Sequence, residues 1–393
     1  MKRVLFLIVF ITSLLLINNV KADEININSN NAVLYNINDG ILLYEKNKDQ
    51  RISIASLTKL MTALVAVENI DNLNQKVKLE KSDYDKLLIQ DASASSLKKD
   101  TYYTYEDLLY GLILESGADC ANALARLTAG TEANFVKKMN ERAKTLGMNN
   151  TSFSNPIGLD NVNNYSTVED VATLLKKDLR NPTLRKIITS LEYTLSDGTE
   201  INHTIKSYMK QLNVDMPYIK GGKTGYEIKA GFALASIAQK DDTTLLLITS
   251  IGKHKGDHIK DAKTLYEYYF ANYGYKSIIQ EGDTITTLKG KLLSKKKINI
   301  KADRDINYYL KNDYDKNDIK LVYKGKNTLS LKDHYNEKLG TVKVYYKDKH
   351  IYNYPVILNQ QLYPNIFITL IVIILVLMPL IVKQIIDKKE TVE

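Results

Sequence analysis

Two apolar stretches at opposite ends of this 393-residue chain set the terms for everything between them. Val4 to Ile17 follows Lys2 and Arg3 and precedes Val20-Lys21-Ala22. A positive start, an apolar middle and a small-residue end read as a secretory signal peptide, so residues 1–22 are set aside from the fold. Ile366 to Val382 is a stretch of 17 residues without a charge. As a helix it would span roughly 25 Å, the short end of a membrane crossing. Pro379 lies near its end, where a kink is tolerated. Lys383, Lys388 and Lys389 follow, and positive residues stay cytoplasmic. The tail is therefore expected inside the cell membrane, as a single-pass anchor, and all that precedes it outside.

Between these ends the chain changes character once. Ala32-Val-Leu-Tyr35 and Ile41-Leu-Leu-Tyr44 flank Asn38-Asp39-Gly40, a β-hairpin pattern. Leu57 to Ile70 carries helical spacing, residues 105–128 form a second helical region interrupted at Gly117, and Phe135–Leu146 and Val168–Leu179 are amphipathic helices. Tyr218–Ala238 and Thr243–Ile251 read as adjacent strands, and Asp261–Tyr273 as a last helix. Strands, helices, then strands again predict an α+β domain over 23–275 whose sheet joins the two ends of the segment. From Tyr275 short alternating runs punctuated by Gly282, Gly290, Gly325 and Gly340 predict a small β-rich domain, 276–360. Residues 361–393 supply a linker, the apolar helix (366–382) and the tail.

The charge follows this division. The whole chain carries 54 Lys+Arg against 45 Asp+Glu, a net of +9. Residues 23–275 hold 30 basic and 32 acidic residues, whereas 276–350 hold 18 and 10. An exported chain meets no nucleic acid, so the basic domain is expected to face anionic lipid headgroups or wall polymers, or to be a solvated stalk. One cysteine, Cys120, excludes a disulfide scaffold and a multi-cysteine metal site. It lies in an apolar helical segment and reads as a small buried hydrophobe. His254 and His258 share helical spacing but lack the Glu and third ligand of a zinc peptidase. No metal and no organic cofactor is expected.

Two motifs carry chemistry. In Ser56-Leu-Thr-Lys59 a lysine sits one helical turn after a serine, within reach of its oxygen. A buried lysine with an accessible neutral form can take the proton that a serine must lose to become a nucleophile. Ser56 also opens a strongly apolar helix, unlike the Ser-x-x-Lys spacings at Ser95, Ser96, Ser207, Ser250 and Ser294. The plain alternative is a helix N-cap followed by a solvated lysine. In Lys220-Gly-Gly-Lys-Thr-Gly-Tyr226 the glycines would let a ligand approach a strand, and Lys223 and Thr224 offer a cation and a hydroxyl to a carboxylate. A phosphate loop is disfavoured because the upstream glycine is missing. A strand turn is the plain alternative.

Taken together, these motifs resemble the active-site set of penicillin-recognising serine enzymes. Arg51-Ile-Ser-Ile-Ala-Ser56-Leu-Thr-Lys59, Leu114-Glu-Ser116-Gly-Ala-Asp-Cys-Ala-Asn122, Asn155-Pro-Ile-Gly-Leu159, Tyr165-Ser-Thr-Val-Glu-Asp170 and Lys220–Gly231 resemble the D-alanyl-D-alanine carboxypeptidases, the low-molecular-mass penicillin-binding proteins. The resemblance covers residues 24–275. It implies a penicillin-recognising serine transpeptidase/β-lactamase-like domain and removal of the terminal D-alanine from peptidoglycan stem peptides, with β-lactams as covalent inhibitors. It implies Ser56 as nucleophile, Lys59 as base and Ser116 as proton carrier to the leaving group. Lys223, Thr224, Gly225 and Tyr226 would bind substrate, and the backbone N–H groups of Ser56 and Tyr226 would form the oxyanion hole.

Three positions depart from the family pattern. The second motif reads Ser116-Gly117-Ala118 where an asparagine is usual, and Asn122 is the candidate to replace it. Ile157 stands where some relatives have histidine. The arginine that commonly helps to bind carboxylate is missing, leaving Lys253, His254, Lys255 and His258 as candidates. The alternatives are a β-lactamase-type hydrolase, disfavoured by the missing Glu segment between Asn155 and Asn181, and a cell-wall binding protein with weakened catalysis.

Overall fold

The computed structural model describes residues 25–390 apart from 86, 88–89, 291–296, 330–332 and 360–365. The expected signal peptide therefore lies outside the described residues. Contacts divide the chain between Ala271 and Asn272 into two units.

The first unit opens with the hairpin β1 (Asn31–Asn36) and β2 (Ile41–Lys46). There follow α1 (Thr58–Val67), the hairpin β3 (Lys76–Leu79) and β4 (Thr101–Thr104), α2 (Tyr105–Leu114), α3 (Ala118–Ala129), α4 (Glu132–Thr145), α5 (Val168–Asp178) and α6 (Pro182–Ile188). A short hairpin, β5 (Glu192–Thr194) and β6 (Glu200–Asn202), leads to α7 (Thr204–Leu212). The unit ends with β7 (Ile219–Glu227), β8 (Gly231–Lys240), β9 (Thr243–Gly252) and α8 (Asp257–Asn272). One antiparallel sheet, in the order β2-β1-β9-β8-β7, pairs the first strands with the last. That closure is the one predicted from the order of elements. β7 is the edge strand, so alternate backbone N–H groups along it are not taken by the sheet.

Local sequence accounts for the helices. Thr104 and Asp107 cap the start of α2 reciprocally, and Thr167 accepts the Asp170 N–H at the start of α5. Asn181 caps α6, which begins with Pro182, a residue already set to the helical φ. α1 is apolar nearly all round and buried from Thr58 to Ala66, packed against α2, α3, α4, α5 and α6. Its Leu60, Met61 and Leu64 have no exposed surface, so truncating any one to alanine costs about 2–5 kcal/mol. Burial this complete fixes the start of α1, where Ser56 and Lys59 lie. The run Tyr218–Ala238, read as one strand, is two, turned at Ile228–Ala230.

The second unit is all β up to Ile357 among the described residues, except for one short turn of 3₁₀ helix. Its strands are β10 (Tyr273–Ile279), β11 (Thr284–Gly290), β12 (Lys297–Lys301), β13 (Ile306–Lys311), β14 (Ile319–Gly325), β15 (Thr328–Leu329), β16 (Lys338–Tyr346) and β17 (Lys349–Ile357). They pair as β10-β13, β12-β11-β15 and β14-β16-β17 around a core that includes Ile278, Leu288, Ile300, Val342, Val344 and Val356. The chain then forms α9 (Ile366–Glu390), with Pro379 inside it. Among the described residues no helix is long and apolar enough to cross a membrane. The expected span, 366–382, lies on α9, only partly within the described side chains.

Candidate active site

Ser56 occupies a tight turn, Ala55–Leu57, immediately before α1. Its side chain caps no helix, which removes the N-cap reading. Ala55 holds φ at +45°, a left-handed backbone that costs a non-glycine residue of order 1–3 kcal/mol. That strain delivers the Ser56 hydroxyl to Lys59 one turn later: Lys59 Nζ lies 2.8 Å from Ser56 Oγ. The same Nζ donates to the Ile157 carbonyl at 2.7 Å. Lys59 is 2% exposed, and burial pulls its pKa down to about 8 against the opposing pull of Asp119 and Glu227. A lysine so placed has a neutral fraction near neutral pH, as a base needs.

Two glycines wall in the nucleophile's backbone. A Cβ on Gly225 of β7 would come within 3.1 Å of the Ser56 nitrogen and 3.2 Å of the Ala55 Cβ. Gly158, at φ +90°, would place a Cβ 2.1 Å from the Ala55 carbonyl oxygen. Only glycine permits both approaches at once. Gly222, expected to admit a ligand, instead admits the neighbouring strand: its Cβ would sit 2.0 Å from the Ala235 oxygen.

Lys223 is fully buried and donates to the Thr224 carbonyl at 2.7 Å. Burial, then the positive charge of Lys59, holds its ammonium well below the ordinary lysine value. The two cations are thus close enough to oppose each other. Thr224, 6% exposed, shares a 2.6 Å hydrogen bond with Thr204 at the first turn of α7. His203, ahead of it, accepts the Ile205 N–H on Nδ1 and so donates from Nε2 to the Gly222 carbonyl at 2.8 Å. Burial lowers its pKa to about 4. Thr204 and His203 fasten α7 to the substrate strand, and neither stood out in the sequence because their partners are twenty residues away.

Ser116 lies between α2 and α3 with a left-handed backbone, φ +64°. Among the described residues no hydrogen bond joins it to Ser56, Lys59 or Lys223. Its turn is fixed by hydrogen bonds from the Gly117 N–H to the Gly111 carbonyl, from the Ala118 N–H to the Ser93 carbonyl and from the Ser95 N–H to the Asp119 carboxylate. Asp119 of this turn raises the pKa of Lys59, against the larger effect of burial. The adjacent Cys120 is buried and burial pushes its thiol pKa up, as expected of a structural cysteine.

Asn122 does not replace the missing amide. Its Nδ2 donates to the Asp83 carbonyl at 2.9 Å, one helical turn before Arg126, which binds the Asp83 carboxylate at 2.7 Å. Position 122 therefore serves packing of the 81–84 turn, while Ala118 is buried and its side chain has no polar atom. The second partner of Lys59 comes from the backbone of Ile157, which side-chain motifs do not reveal. Of the four carboxylate candidates, Lys253, His254 and Lys255 are exposed. His258 is fully buried, 5.6 Å from the Phe232 ring in a parallel stack and 4.7 Å from Tyr208 edge-on. Phe232 in turn leans on Tyr226 at 4.5 Å.

Residues 18–252 match the family model described as D-alanyl-D-alanine carboxypeptidase. The chain belongs to this family. Among D-alanyl-D-alanine carboxypeptidases it is similar to DacF of Bacillus subtilis (strain 168), with 28% identity over 89% of this chain and 90% of the relative. It is also similar to the carboxypeptidase of Streptomyces sp. (strain K15), with 32% identity over 60% of this chain and 83% of the relative. The solved structure of penicillin binding protein 5 from Haemophilus influenzae superposes with a TM-score of 0.66 at 25% identity, covering 85% of this chain and 98% of that one. The K15 DD-transpeptidase structure gives 0.57 at 28% identity, over 63% and 98%. These likenesses establish the α+β penicillin-binding fold and a serine peptidase of the cell-wall carboxypeptidase class.

Proposed function

We propose that Ser56 is the nucleophile through which this carboxypeptidase removes the terminal D-alanine of peptidoglycan stem peptides. The observation that carries the reading is the 2.8 Å contact between a buried lysine amine and the Ser56 hydroxyl. Neutral Lys59 takes the Ser56 proton as Oγ bonds to the carbonyl carbon of the penultimate D-alanine. The oxyanion forms against the backbone N–H groups of Ser56 and Tyr226, where losing one donor costs about 3–4 kcal/mol of barrier. The C–N bond then breaks, and the proton passes through Ser116 to the departing D-alanine amine. Water hydrolyses the ester and restores Ser56. Thr224 and the charge of Lys223 behind it orient the terminal carboxylate. β-Lactams acylate the same oxygen, because their amide opens along the same path.

We also propose that the catalytic unit works outside the cell membrane, held by the apolar helix at 366–382 with its tail in the cytoplasm. The charge-free run and the three lysines after it support this. Release of D-alanine from a peptide ending in D-Ala-D-Ala, abolished in Ser56→Ala with the fold intact, tests the reaction. No release by the wild-type chain would overturn it.

A further inference from the structure

One sheet of the second unit is chemically lopsided. β14, β16 and β17 together contain Lys320, Lys324, Lys338, Lys343 and Lys349 and not one Asp or Glu. The pairing sorts these residues by face. Val342 and Val344 of β16 are fully buried in the core, so Thr341, Lys343 and Tyr345 point the other way. Thr341 is paired with Lys324 and Pro355, Lys343 with Val322 and Asn353, and Tyr345 with Lys320 and His350. Cross-strand partners share a face. The outer face therefore gathers three lysines and a histidine among neutral residues.

Lys320, Lys324 and Lys343 make no ion pair among the described residues. Of the acids near these strands in sequence, Asp318 faces Lys347 at 3.8 Å and Glu337 is bound by Lys326, while Asp348 lies in the turn between β16 and β17 and pairs with none of the three lysines. Three like charges on one face repel one another, and among the described residues no carboxylate forms an ion pair with any of them. A polyanionic surface would. The chain itself states which one is near. Only eight residues, 358–365, separate β17 from the apolar helix, a reach of at most roughly 28 Å whatever their conformation.

We propose that the outer face of the β14-β16-β17 sheet docks on the anionic phospholipid headgroups of the membrane that the chain is anchored in. The inference rests on the membrane-anchor reading above. Each lysine close to such a surface raises the binding constant about fivefold, so three raise it by roughly a hundredfold. The gain is screened as salt shortens the Debye length to a few ångströms.

The test uses the full chain reconstituted into vesicles of phosphatidylcholine alone or with phosphatidylglycerol. Amine-reactive labelling of Lys320, Lys324 and Lys343 is read by mass spectrometry against Lys240 and Lys255 of the first unit. Labelling of the three is expected to fall at least fivefold only with phosphatidylglycerol at low salt, and to recover at high salt. In K320E/K324E/K343E, whose D-alanine release from a soluble peptide stays at the wild-type rate, Lys338 and Lys349 lose any protection they share. Equal labelling in both vesicle types would overturn the proposal. So would protection in detergent by soluble polyphosphate with none on vesicles, which assigns the face to a wall polymer. Flotation with phosphatidylcholine vesicles reports the anchor separately: its failure sinks the anchor reading, while lysine-dependent flotation with phosphatidylglycerol alone would still support the face.

Discussion

The two units of this carboxypeptidase distribute polarity in opposite ways. Among the described residues the covered ionisable groups Lys59, Asp119, Asp178, His203, Lys223 and His258 all precede Asn272, whereas in the second unit the covered Asp333 carboxylate is held by the surface ammonium of Lys326. The buried residues of the second unit's core are aliphatic or tyrosine, and among the described residues none of its lysines is buried. Burying a cation is costly unless something uses it. The first unit bears that cost at Lys59 and Lys223 and gains a lysine that can act as a base. The second unit has an apolar interior and carries its lysines at its surface, as the proposed headgroup contact requires. A near-neutral unit with a charged interior carries the candidate active site, and a basic unit with an apolar interior carries none of its residues.

The contrast can be broken most forcefully at Lys59. Lys59→Met should slow both acylation by a fluorescent penicillin and D-alanine release by about 10²- to 10⁴-fold, the usual contribution of a general base. A variant that acylates at the wild-type rate would mean that the buried amine is only structural. Next comes acid stability. His203 and His258 are both held near a pKa of about 4 by burial, against 6.5 when free. Neutral in the fold and proton-seeking when unfolded, they withdraw stability as pH falls from 6.5 toward 4, by up to about 3 kcal/mol each. The thermal midpoint of the first unit should drop over that window and rise again in His258→Phe. A flat midpoint between these values would contradict the burial of neutral imidazoles.

A smaller effect is expected at Thr204. Thr204→Val removes the partner of the Thr224 hydroxyl, a hydrogen bond of about 0.5–1.5 kcal/mol. KM for a D-Ala-D-Ala peptide should rise about two- to tenfold with kcat nearly unchanged; a fall in kcat alone would place Thr204 elsewhere in the reaction. The smallest effect is none at all: charge reversal at Lys320, Lys324 and Lys343 should leave turnover of soluble peptide as it was. A loss there would show that the units are not functionally separate.

How much of this was legible beforehand varies with the kind of interaction. The sheet joining both chain ends, the break at Gly117 and the Ser56–Lys59 pair follow from periodicity and one-turn spacing, which are local. Asn122 was misread for the same reason: spacing puts it on the right helix, but its amide faces Asp83, thirty-nine residues earlier. The Ile157 carbonyl on Lys59 and the Thr204–Thr224 and His203–Gly222 bonds were invisible, since backbone atoms and distant partners leave no pattern in residue types. Lys223 was read as a hand for the substrate carboxylate. The structure adds that it is fully buried with its amine on the Thr224 carbonyl, which the motif alone does not reveal. Short elements such as α6 and the β5-β6 hairpin have too few residues to show a period.

The central claim is that Ser56 is activated by a lysine whose neutral form burial makes accessible near neutral pH. The rate of Ser56 acylation by a labelled penicillin, followed across pH with the adduct located by mass spectrometry, tests it most directly. Because Lys59 must lose its proton to work, the rate should climb with pH, turn over at about 8 and level off above it. A rate that is flat across that range, or an adduct on any residue other than Ser56, would contradict the account.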